Sequence, residues 1–79
     1  MVEVFKTNVK QHHDAEHLVR LIHENFVDYR ANFDLHDCDN ILRVKSNTGI
    51  VHAACLVSLL QSCGFEAEIL PDEVNLLVT

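Results

Sequence analysis

His12, His13, Asp14 and His17 crowd into the stretch NVKQHHDAEHLVRLI. Imidazole nitrogens and a carboxylate are donors that suit a divalent transition metal such as Zn²⁺, Ni²⁺ or Cu²⁺. His13 and His17 are four apart, so a helix would stack them on one face. His12 and Asp14 lie beside them, and Gln11 adds a weak oxygen donor. The cluster has two readings. It is a metal site, or it is the polar start of a helix, solvated around an acidic cap. Ligands drawn from one short stretch bind weakly, and a dication at the positive end of a helix is partly repelled. The residue types alone leave both readings open.

The remaining candidates for chemistry are sparser. His36 and Cys38 form an H-x-C in a turn-rich stretch, HDCDN, but no orienting third group or oxyanion loop accompanies them. The acidic pairs Glu66/Glu68 and Asp37/Asp39 read as solvated strand and turn residues. With only Gly49 and Gly64 available, no glycine-rich phosphate loop is present. These patterns point away from an enzyme. Cys38, Cys55 and Cys63 are odd in number and include no C-x-x-C, so free thiols are expected rather than a disulfide framework. Cys55 and Cys63 are spaced so that both could touch the apolar stripe of one helix. His23 and His52 read as surface or half-covered residues.

The 79 residues carry a net charge of −6 and a hydrophobic fraction of 48%, enough for one small core. Arg20, Arg30, Arg43 and Lys45 are scattered along the chain, so no basic run attracts a polyanion, and nucleic acid is not an expected partner. No apolar run reaches the roughly 20 residues that span a bilayer. The opening VEVFKTNV lacks the features of a signal peptide, and the cytoplasm is the expected location.

Positioning these residues requires elements, and the periodicity supplies them. Residues 2–8 read as a strand. Residues 14–27 read as a helix, with Leu18, Leu21, Ile22 and Phe26 as its stripe and Asp14 as its N-cap. Tyr29, Ala31, Phe33 and Leu35 alternate with Arg30, Asn32 and Asp34, the mark of a half-buried strand. ILRVK is its hairpin partner. Ser46, Asn47 and Thr48 are candidate caps for a second helix over 50–63, striped by Leu56, Leu59, Leu60 and Cys63 and closed by Gly64. FEAEIL is the last strand, with Phe65, Ala67 and Ile69 inward.

The order βαββαβ predicts an α+β, ferredoxin-like sandwich over residues 1–71. It has a four-stranded antiparallel sheet of order 4-1-3-2 and two helices on one face. Leu18, Ile22, Phe33, Leu59, Leu60, Phe65 and Ile69 are the expected core. Residues 72–79 form an apolar tail suited to an extra edge strand or a homodimer contact.

The strand–loop–helix spacing, the LVRLIHENF stripe and the ending LLQSCGFEAEI resemble the heavy-metal-associated domain family, the small copper-chaperone type. The resemblance covers about residues 2–70. It implies metal handling at a C-x-x-C in the loop entering the first helix. Its two cysteine positions fall on Gln11 and Asp14, and its loop-packing methionine falls on Val9. The thiolate pair that suits Cu(I) is therefore absent. What the resemblance implies is a Cys-less metal site, or a member without metal that serves as a protein-interaction or homodimerising module.

Overall fold

A computed structural model describes residues 2–36 and 40–70. Strands β1 (Val2–Thr7), β2 (Tyr29–Asp34), β3 (Ile41–Ser46) and β4 (Ala67–Ile69) alternate with helices α1 (His12–Asn25) and α2 (Ala53–Ser62). The sheet is antiparallel with order β2-β3-β1-β4, which is the expected 4-1-3-2 arrangement seen from its other edge. The residues proposed as an edge-strand tail, 72–79, lie outside the described residues, as does Cys38 of the H-x-C pair.

Strand alternation divides the sheet into two faces. Phe33, Leu42, Phe5 and Ile69 form one cross-strand row by register, and Ala31, Val44 and Glu3 form the next. This face meets Ala15, Leu18 and Ile22 of α1 and Leu56 and Leu60 of α2 in one cluster, with Val9 and Val51 closing its ends. Both helices are thus committed to the same side. Packing of two single-striped helices against one alternating sheet is what the patterns require.

Two features of the chain set the helix ends. Gly64 has φ +91, and the Phe65 N–H donates to the Leu60 carbonyl at 2.9 Å while the Gly64 N–H donates to the Gln61 carbonyl at 3.0 Å. This is a left-handed glycine closure, and Phe65 and Leu60 both join the core cluster. At the other end of α2, the helix starts at Ala53, later than the alternation suggested. The Tyr29 hydroxyl accepts from the His52 N–H at 2.7 Å and donates to the Ile50 carbonyl at 3.3 Å, so a tyrosine from β2 organises the entry. Ser46 does not cap α2. Its hydroxyl accepts from the Thr48 and Gly49 N–H groups, both at 3.2 Å, and closes the preceding turn. Asn47 and Thr48 are exposed in that turn, and neither occupies the α2 cap position, which is His52.

Several expectations are corrected. Asp14 is not the N-cap of α1. The helix begins at His12, Gln11 holds the cap position, and no side chain caps it. The His-His pair enters the first turn because the Gln11 carbonyl already accepts from the Ala15 N–H at 3.0 Å. Ile69 shares the core-face row with Phe5, yet it is 49% exposed. It is the last residue of a three-residue edge strand. Cys55 is exposed and points away from the stripe, whereas Cys63 is half-buried against the core. Phe33, Leu59 and Phe65 pack on the core from partly covered positions, while Leu18, Ile22 and Leu60 are fully buried.

Candidate functional site

The loop entering α1 is held from both sides. The Asn8 N–H donates to the Glu66 carbonyl at 3.3 Å, and the Glu66 N–H returns a bond to Asn8 Oδ1 at 2.8 Å. The buried Thr7 hydroxyl donates to the Asn40 carbonyl at 2.7 Å and accepts from the Val9 N–H at 3.2 Å. Asn40 takes a φ of 50°, a left-handed conformation that asparagine tolerates better than most residues. Val9 is completely buried. The start of α1 is therefore a fixed platform.

What stands on that platform is dispersed. His13 Nε2 lies 3.3 Å from Asp14 Oδ1, with the histidine side chain 78% exposed and the aspartate 33%. His12, His17 and Gln11 are exposed. Among the described residues, no three His, Cys, Asp or Glu side chains are grouped to hold one ion. Successive helical residues point about 100° apart, since a turn takes about 3.6 residues. His12, His13 and Asp14 therefore splay, and His17 lies one turn on from both His13, at i+4, and Asp14, at i+3. A shallow depression of about 160 Å³ beside His12 is walled by Ala15, Val19, Phe33 and Leu35, with Glu16 as its one acid.

The other histidines have structural tasks or none. His23 Nε2 accepts the Ala31 N–H at 3.1 Å, so this side chain covers an unpaired donor on the outer edge of β2. His36 is exposed, and its backbone N–H donates to Asp34 Oδ1 at 3.2 Å.

A second cluster was hidden by its spacing. On the sheet face opposite the helices, register places Arg30, Lys45 and Val2 in one row and Asn32, Arg43 and Val4 in the next. The third row holds Asp34, Ile41, Lys6 and Glu68. Arg30, Arg43 and Lys45, which look scattered along the chain, thus gather on one surface, while Arg20 stays on α1. Arg43 lies 3.8 Å from Asp34 through exposed side chains. The signal was present in the sequence: Arg30, Arg43 and Lys45 occupy the polar positions of alternating strands, and pairing those strands aligns them.

No protein-family model, curated protein or solved structure matches the chain. Among the described residues, no helix is long and apolar enough to cross a membrane.

Proposed function

We propose that the chain is a non-enzymatic protein-interaction module of ferredoxin-like fold, working in the cytoplasm through its uncovered sheet face. One observation carries the reading: both helices pack on one side of the sheet, and on the other side, among the described residues, Val2, Arg30, Asn32, Arg43 and Lys45 stand exposed in register while Ile41 alone is buried. An antiparallel sheet can tolerate a wet face. Here, however, the wet face sets Arg30 directly against Lys45, a like-charge pairing that stability alone does not favour. The rigid scaffold beneath it is well suited to presentation of a surface. Site-specific photo-crosslinking in cells tests this. A photoreactive residue at Lys45 should trap a discrete protein adduct, and one at Glu24 on the outer side of α1 should not. Equal labelling at both positions would refute the reading.

A second reading retains metal handling at the α1 start, in line with the heavy-metal-associated resemblance. The observation that favours it is the His13–Asp14 contact of 3.3 Å in the first turn of α1, which follows a loop fixed from two sides. His17, one turn further on, is the natural third donor, after a rotamer change, for Zn²⁺, Ni²⁺ or Cu²⁺. Calorimetric titration with Zn²⁺ tests it, with micromolar binding lost in the His13→Ala/His17→Ala variant as the supporting result.

A further inference from the structure

We propose that the sheet surface around Arg30, Arg43 and Lys45 docks an extended acidic segment of a partner protein, with carboxylates two residues apart and an aliphatic residue beside them. The inference rests on the interaction-module reading and names the chemistry of the partner.

Charge distribution is the first support. The whole chain is −6, yet the described open face carries Lys6, Arg30, Arg43 and Lys45 against only Asp34 and Glu68. The two acids both lie in the third row, so the first two rows are purely cationic. A patch of one sign on a protein of the other sign selects for a local, short-range partner charge.

Strain between like charges is the second. Arg30 and Lys45 are direct register partners on antiparallel strands. Like charges in that arrangement destabilise a sheet. Neither side chain has a hydrogen bond or ion pair among the described residues, and both are exposed. An anion placed between them converts the repulsion into two attractions.

Shape and spacing are the third. Val2, Arg30, Ala31, Asn32, Arg43 and Lys45 line a shallow depression of about 270 Å³. Residues two apart on a strand are separated by roughly 6.6–6.8 Å, and neighbouring strands by roughly 4.7–4.9 Å. Carboxylates at alternate positions of an extended peptide therefore match Arg43 and Lys45, and Arg30 stands one strand away from the second of them. Guanidinium groups bind carboxylates with two parallel bonds. Arg43 is only loosely engaged by Asp34 and can exchange that partner at little loss. Val2, 52% exposed, and half-buried Val4 offer an apolar border to an aliphatic side chain.

Nucleic acid fits less well. Tyr29, Phe33 and Phe5 belong to the core-face rows, and no aromatic ring stands among the described open-face residues. Single strands bind sheets by stacking bases on such rings. A long polyanion would also meet the acidic remainder of the molecule.

The test uses the full ¹⁵N-labelled chain and a synthetic nine-residue peptide alternating Glu with Val. Saturable amide shifts should concentrate on β2, β3 and the start of β1. Replacing every Glu in the peptide with Gln should weaken binding at least tenfold, and Arg30→Ser/Lys45→Ser should do the same while the thermal melt is kept or raised. Absence of binding, equal binding of the Gln peptide, or tighter binding of a single-stranded oligonucleotide overturns the proposal. So does a shift of the same residues on simple concentration of the protein, which would make the occupant a second copy. The Lys45 crosslink separates the two levels. An adduct without affinity for acidic peptide retains the module and discards the acidic partner, and loss of both discards both.

Discussion

The start of α1 and the open face of the sheet both concentrate side chains capable of chemistry, but they do so by opposite means. The helix start takes its residues from one short stretch of sequence, and helical geometry then turns them apart. The sheet face takes Arg30 and Lys45 from distant points of the chain, and strand register sets them side by side. Nearness in sequence is thus a poor guide to a shared site when it falls on a helix. Alternation is a better guide when it falls on paired strands. The first region has varied donors and little convergence; the second has convergence and, in its first two rows, one sign of charge.

The two regions share a support, and breaking it gives the largest effect. Leu18 and Leu60 are fully buried where α1 and α2 meet the sheet. Leu18→Ala or Leu60→Ala should each cost about 2–5 kcal/mol in denaturant unfolding. Leu59→Ala, at a partly covered position, should cost clearly less. Equal losses at Leu59 and Leu60 would mean that the α2 stripe is rotated from its described orientation.

Next in size is the link between the α1 loop and the approach to β3. Thr7→Val keeps the shape of the side chain but strands the Asn40 carbonyl and the Val9 N–H, both of which the hydroxyl serves. Leaving such groups unpaired costs about 1–3 kcal/mol. Chemical denaturation measures the loss, and amide exchange at Val9 should quicken. A neutral result would show that water replaces the hydroxyl and that the platform under the histidines is softer than its bonds imply.

Much of the fold was legible because two periodicities are clean. The strict alternation over Tyr29–Leu35 and the three-and-four spacing of Leu18, Leu21 and Ile22 leave little choice of element, and element order then dictates the layer arrangement. The boundaries were less legible. A run of polar residues such as KQHHD carries no period, so nothing in it marks where α1 begins, and Asp14 was credited with a cap that Gln11 occupies. Ile69 obeys the alternation but lies on a short edge strand, where inward direction does not secure cover. Of the candidate site, the histidines were visible at once, and among them His13 alone is placed against Asp14. The cationic rows went unseen, because they exist only once β2, β3 and β1 are placed in register.

A charge reversal sharpens the contrast between the regions. Lys45→Glu turns the Arg30 cross-strand neighbour from a like charge into an opposite one. Such a change should stabilise the sheet by about 0.2–1 kcal/mol. Urea melts would register the gain. Destabilisation instead would mean that Arg30 and Lys45 already avoid one another and that the repulsion invoked for the docking surface is negligible.

The smallest expected effect belongs to the histidine region, and it follows from the corrected place of Asp14. An N-cap aspartate would have lost about 0.5–2 kcal/mol on replacement by alanine, through its bond to a helix amide. Asp14 instead stands in the first turn, where its carboxylate faces the positive end of α1 and the His13 imidazole. Asp14→Ala should therefore cost only about 0.3–1 kcal/mol, with the loss shrinking as salt is added. His13→Ala should change the melt less still, since its side chain is 78% exposed. If Asp14→Ala has a cost insensitive to salt, the carboxylate makes a fixed hydrogen bond to the backbone, and the helix start is a sturdier scaffold for a metal than its splayed donors suggest.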